Sequence, residues 1–355
     1  MGKNTKTILL GLLPLQILLV KWASYHPDFV ETYYSTGVYP FISQGLRILF
    51  GWIPFSMGDL LYLSLIVLIV RYLYRNRKSI KTRPLAILKD FGVLLSVIYF
   101  LFHFLWGLNY YRQPITWKLG LEREYSQQDL VSMIEYLTLK SNTFQFDITG
   151  DSLTPVHIPY SKKEIFKKTK AGYGELEKQY PDFAYTFSSQ KSSLFSVPLT
   201  YMGYGGYINP FTNEAQVNGI TPRFRLPTVS GHEVGHQVGY SAEDATNFIG
   251  FWVSSINDDP HFKYAAYSHA LGYCLSDLAK KDEEKFKEMM TGLHLGVREN
   301  YREINRFWAK YDNPLEPVFK SIFNTFLKAN NQKEGIASYN SVVGLLISYH
   351  KKYGF

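Results

Sequence analysis

The sequence predicts a mainly α-helical fold with a small β element, built in two parts: a membrane region over residues 1–112 and a globular domain over 113–355. Three observations carry this prediction. Apolar runs fall at about residues 8–24, 57–74 and 91–110. Beyond Leu121, polar-faced helical periodicity is interrupted by one glycine-punctuated run of β-formers. The stretch GHEVGHQVGYSAEDATNF, beginning at Gly231, has the spacing of a metal-binding helix followed by a second helix.

The first apolar run, ILLGLLPLQILLV, follows Lys3 and Lys6 as in a signal peptide, but Lys21 and Trp22 stand where the small residues of a cleavage site belong. An uncleaved span is therefore predicted, despite Pro14. The second run, MGDLLYLSLIVLIVRYLY, ends in the basic stretch RNRKSIKTR; the third, FGVLLSVIYFLFHFLWGLNY, is long enough to cross about 30 Å of hydrocarbon. Arg75, Arg77, Lys78, Lys81, Arg83 and Lys89 lie between the second and third spans, with Arg71 in the last turn of the second. Arg47 is the only Lys/Arg from residue 25 to 56. The positive-inside rule puts the former loop in the cytoplasm and everything after Arg112 across the membrane, with residues 29–56 expected as an aromatic outer loop along its surface.

The formal charge of +8 supports this partition. Up to Tyr125 there are 14 Lys/Arg against 6 Asp/Glu, and the remaining chain has 24 of each. The excess sits among apolar runs, so it reads as a topology signal for a lipid bilayer and not as a groove for nucleic acid. A single cysteine, Cys274, excludes an intramolecular disulfide.

In the globular part, EREYSQQDLVSMIEYLTLKSN predicts an amphipathic helix with Ser126 as N-cap and Asp129 three places on. SKKEIFKKTKAGYGELEKQYP predicts a second helix. From Leu194 to Asn218, Gly203, Gly205 and Gly206 interrupt β-formers, which predicts short strands or an irregular hairpin. After His261 the periodicity is helical, with breaks near Asp312 to Pro317 and Asn330 to Gly335.

The chemistry concentrates in HEVGH. His232 and His236 stand at i and i+4, so both imidazoles leave one helix face and can bind one Zn²⁺. Glu233, offset by about 100°, suits a general base acting on metal-activated water. Gly239 offers a helix stop through positive φ. Ser241 would cap a new helix with Asp244 as its capping partner, leaving Glu243 in the first turn as the third ligand. Asp244 and the upstream Glu214 are the competing carboxylates. Asn247, at i+4 from Glu243, would orient a ligand imidazole.

These residues carry a resemblance. HEVGHQVGYSAEDATNF resembles the site of the gluzincins, metallopeptidases with two histidines from HExxH and a glutamate from a following helix. More narrowly, GWIPFSMGDLLY, WGLNYYRQP, YINPFTNEAQVN, the metal motif and FLKANNQKEGIASYNSVVGLL resemble the bacterial membrane-protein family named domain of unknown function 3810. The resemblance implies a zincin-like fold, with a substrate-aligning strand near YINPFTNEAQVN. The family pattern after the glycine runs Glu, acidic, Glu, Ala, Asn; here Ala245 and Thr246 take the third and fourth places. The clan's ExxA(D/N) pattern fits Glu243 and Asn247. Oxyanion stabilisation in such sites comes from a Tyr, His or Arg outside the motif, with Tyr264, Tyr267, His269 and Tyr339 as candidates by region.

The expected function is that of a membrane-anchored zinc metallopeptidase acting on a peptide or protein substrate, resident in the bacterial cytoplasmic membrane with its catalytic domain extracytoplasmic. One alternative is a non-catalytic scaffold or receptor on the same fold, against which Glu233 argues. The other is an intramembrane zinc protease, against which Arg223, Arg225, Glu243 and Asp244 argue, because so polar a segment does not cross lipid.

Overall fold

The computed structural model describes residues 2–332, 335 and 341–355. The N-terminal part runs from α1 (Lys3–Ser24) through a single turn, α2 (Pro27–Phe29), and a π-helical stretch at Val30–Val38 into α3 (Tyr39–Phe50). It continues with α4 (Met57–Arg75), the short α5 (Arg77–Thr82) and α6 (Pro84–Leu105). Among the described residues α1, α4 and α6 are long and apolar enough to cross a membrane. The last of these starts at Pro84 and ends at Leu105, not at 91 and 110. Proline is pre-organised for a first helical turn, and Trp106 leaves helical geometry with φ −158°.

Contacts between α1 and α6 rise together along both helices. Lys6 pairs with Asp90, Ser96 Oγ donates to the Leu9 carbonyl at 2.7 Å, and Gln16 reaches Ser96 at 3.4 Å. The two helices are therefore parallel. By contrast α4 stands apart. It joins α6 at one end, where Tyr72 donates to Asp90 at 2.6 Å and stacks edge-on against Phe91.

Residues 29–50 form helices and not a loop, and only 51–56 connect them to α4 as turns. Their helices bury one face, Val30, Tyr34, Tyr39, Ser43 and Arg47, and expose the other through Phe41, Ile48 and Leu49. Tyr39 donates to the Gln237 carbonyl at 2.7 Å, and Ser43 reaches Asn213 at 2.8 Å. The helical face is stabilised by partners far along the chain, which is why a local reading of the aromatics missed it.

The globular part comprises α7 (Ile115–Leu119), α8 (Gln127–Thr149), α9 (Lys162–Gln179), β1 (Gln190–Ser192), α10 (Ser196–Tyr201), β2 (Gly206–Asn209), β3 (Glu214–Val217), α11 (Leu226–Gln237), α12 (Glu243–Ser255), α13 (Pro260–Lys281), α14 (Glu283–Thr291), α15 (Leu295–Lys310), α16 (Glu316–Ala329) and α17 (Val342–Tyr353). The Ser126–Asp129 capping box that opens α8 is present. The expected hairpin is β2 and β3, antiparallel with Gly206 opposite Val217 and Asn209 opposite Glu214. Two features depart from expectation: Ser196–Tyr201 is helical, and β1 pairs parallel to β3, giving the order β1-β3-β2 with β2 at an edge. The core lies around α12, every residue of which is buried, with α9, α11, α13 and α17 packed about it and α8 packed in turn on α13. A helix enclosed on all sides is a rigid platform for what its first turn presents.

Candidate metal centre

The site is assembled where α11 and α12 cross. A Cβ on Gly250 would fall 2.5 Å from the Thr228 carbonyl and 3.0 Å from the His232 nitrogen, so only glycine permits this approach. The connection between the helices turns at Gly239, whose φ of +94° is the left-handed conformation that ends α11. Close crossing plus a tight turn swings the first turn of α12 over the histidines. That cap was expected from Ser241 and Asp244. Instead Ala242 occupies the N-cap without a side-chain bond, Ser241 donates to the Asn109 carbonyl at 2.9 Å, and Asp244 pairs with Arg123.

His232, Glu233, His236, Glu243 and Asn247 are brought together. The Nε2 of His232 lies 3.3 Å and that of His236 3.8 Å from Oε2 of Glu243. Ligand atoms of His232, Glu233 and His236 all lie within 4.8 Å of one another. The opposite ring nitrogens are both engaged: Nδ1 of His232 by Oδ1 of Asn247 at 2.9 Å, and Nδ1 of His236 by the Tyr240 carbonyl at 2.7 Å. Both partners are acceptors, so each Nδ1 carries a proton; His236, held neutral, turns an Nε2 lone pair toward Glu243, whereas Nε2 of His232 favours a proton shared with that carboxylate when no metal is bound. Lone pairs and a carboxylate converging in a buried space repel one another unless a cation or proton lies between them.

Electrostatics express the same tension. Burial pushes the Glu233 carboxyl up to about 8, against the pull of His232 and with the help of Glu243. Its Oε2 has no hydrogen-bond partner among the described residues. Burial pulls His236 down to about 4. For His232 burial acts in the same direction, but the hydrogen bond to Glu243 and the charges of Glu233 and Glu243 outweigh it and hold the pKa above the ordinary histidine value.

The competing carboxylates serve elsewhere. Glu214 is fully buried and accepts from the backbone N–H groups of Met57, at 3.2 Å, and Gly58, tying the start of α4 to the sheet. Ala245 sits in the hydrophobic core. Of the oxyanion candidates, Tyr264 donates to Asn300 at 2.7 Å within the core and Tyr267 stacks on Phe144, so neither reaches the site. Tyr339 lies outside the described residues.

His269 does line the cavity in front of the cluster, together with Arg225 and Tyr273, which the sequence reading passed over. Arg225 contacts His269 Nε2, and His269 Nδ1 lies 2.7 Å from the Thr228 hydroxyl. Burial, then Arg225 and His232, keep His269 well below its ordinary pKa, so it is neutral and accepts from the guanidinium. A signal for Arg225 was present in the sequence: it precedes His232 by two helical turns and shares its face.

A largely helical chain with three membrane-length apolar helices and a buried cluster of two histidines and two glutamates is thus the class that fold and site define. The chain belongs to the family described as Protein of unknown function (DUF3810), which matches residues 34–347. No curated protein and no solved structure matches it.

Proposed function

We propose that the protein is a membrane-anchored, zinc-dependent metallopeptidase of the gluzincin kind, its catalytic domain extracytoplasmic. One observation carries the reading: two histidines fixed through Nδ1 direct their Nε2 atoms at one carboxylate oxygen, beside a buried Glu233 whose Oε2 lacks a partner among the described residues. Two imidazole nitrogens and one carboxylate oxygen suit zinc and leave the open position that a catalytic site requires. His232, His236 and Glu243 would hold the ion, and Asn247 and the Tyr240 carbonyl would fix the rings. Bound there, zinc supplies Lewis-acid chemistry, polarising a carbonyl and acidifying water.

The remaining work falls to side chains and backbone. Glu233 accepts the proton of the attacking water and returns it to the leaving amine, a role suited by a pKa raised toward neutrality. Arg225, held by His269 at the cavity wall, supplies positive charge for the developing oxyanion. The outer edge of β2, also at the wall, offers main-chain hydrogen bonds to an extended peptide.

A scaffold has no use for an ionisable carboxylate beside its ligands with one oxygen, Oε2, that lacks a hydrogen-bond partner among the described residues. The intramembrane reading lacks support because α11 is not one of the three apolar helices. Quantitative proteomics of membranes from wild-type and Glu233→Gln cells tests the proposal. Uncut substrate should accumulate, and its fragments vanish, in the variant. Identical proteomes with full zinc in the variant would favour the scaffold.

A further inference from the structure

The cavity in front of the cluster has a volume of about 980 Å³. Its far walls are Tyr62 on α4, Leu95, Ile98 and Phe102 on α6, and Phe323 and Phe326 on α16. Two of these helices are membrane-length apolar helices. From Phe102 down to Leu95 the lining of α6 descends seven residues, about 10 Å at 1.5 Å each. That is about a third of a hydrocarbon core about 30 Å thick, less than one leaflet. Below it the gap closes where Tyr72 of α4 meets Asp90 and Phe91 of α6.

The covering helix α16 fits the same level. Phe326 packs against Phe102 of α6 with ring centres 6.1 Å apart. Leu315, Val318 and Ile322, one stripe at helical spacing, are 59%, 52% and 63% exposed. A helix with that outward stripe, held against the end of an apolar helix, is suited to lie in the interfacial plane.

The wedge therefore has a polar catalytic end and an apolar end that stops within one leaflet, closed at the bottom. A transmembrane segment needs the whole thickness and would run into the α4–α6 junction; an acyl chain ends within a leaflet. We propose, resting on the hydrolase reading above, that the cavity opens laterally to lipid. The substrate is an acyl-anchored polypeptide whose chain lies between α4 and α6 while a nearby peptide bond reaches His232, His236 and Glu243.

The test uses the full chain, zinc-loaded, in nanodiscs of phosphatidylethanolamine and phosphatidylglycerol. The Glu233→Gln variant carries the photoreactive p-benzoylphenylalanine at Ile98, on the gap, or at Val97, exposed on the neighbouring face. Three pools of the same random octapeptides are offered: N-palmitoylated, N-acetylated, or joined to a transmembrane stretch of about 20 leucines. The palmitoylated pool should label the Ile98 probe about tenfold more than either other pool, a difference of about 1.4 kcal/mol, and should label Val97 weakly. Equal labelling by the acetylated or transmembrane pool, equal yield at Val97, or no labelling at all overturns the proposal. Cleavage by the protein with Glu233 intact is read separately. Selective labelling without Glu233-dependent cleavage contradicts the hydrolase reading and leaves the acyl site standing. Glu233-dependent cleavage with no preference for the palmitoylated pool does the reverse.

Discussion

The Nε2 atom of His232 lies 3.3 Å from Oε2 of Glu243, although the two residues belong to different helices joined through a left-handed glycine. The relationship makes Glu243 part of the cluster and separates it from its neighbour Asp244, whose carboxylate turns away to Arg123. Removing each should therefore have a different consequence.

Glu243→Ala should weaken zinc binding by orders of magnitude, while Asp244→Ala should leave it near wild type and lower stability by about 1–2 kcal/mol, since Arg123 is 42% exposed and can return to water. Asn247→Ala should fall between, with a loss of about 10 to 100-fold in affinity or activity. Zinc-competition titrations and denaturant melts distinguish them. Equal zinc affinity in Glu243→Ala and wild type would show that another group is the third ligand.

Zinc affinity should rise with pH. Burial holds Glu233 at about 8 and the Glu243 hydrogen bond holds His232 above the ordinary histidine value, so near pH 7 the metal-free site retains protons that zinc must displace, whereas His236, at about 4, is already neutral. Zinc favours ionised Glu233, so loading expels its proton. Affinity should climb between pH 6 and 8 by up to about tenfold per unit. Calorimetry in buffers of different ionisation enthalpy reads the proton release directly, and Glu233→Gln should reduce it. A flat profile in the wild type would contradict this.

Gly250→Ala tests the helix crossing. The added methyl meets the Thr228 carbonyl, so α11 and α12 must separate, at a cost of about 1–3 kcal/mol. Both thermal stability and zinc affinity should drop, because the histidines and Glu243 sit on opposite sides of that crossing. Unchanged zinc affinity alongside lower stability would mean that the site tolerates looser packing than argued.

Topology is separable from chemistry. A reporter after Lys78 should signal from the cytoplasm and one after Phe355 from the opposite side, because six Lys/Arg between the second and third apolar runs resist translocation. Two cytoplasmic signals would mean that α6 does not cross, and would move the proposed activity inside the cell.

What was legible in the sequence was what local spacing encodes. The i, i+4 histidines, the stop at Gly239 and the capping box at Ser126 each depend on residues within one turn or two, and each has its expected geometry. Glu243 was chosen over Asp244 for a capping reason that does not hold, since Ser241 bonds the distant Asn109 carbonyl. The helices of residues 29–50 were missed because Tyr39 and Ser43 find Gln237 and Asn213 only once the chain has folded back. Strand β1 is three residues long and its partner lies beyond another helix, too little for a period to declare. Nor could the cavity be read in advance, since its walls come from α4, α6, α11, α13 and α16.

Metal content tests the central claim most directly. Full-length protein purified in nanodiscs and analysed by plasma mass spectrometry should hold about one zinc per chain. His232→Ala and His236→Ala should lose it, while Glu233→Gln keeps it without hydrolysing peptide. Wild-type zinc in both histidine variants, or loss of zinc from Glu233→Gln, would contradict the ligand set from which the rest of the account is built.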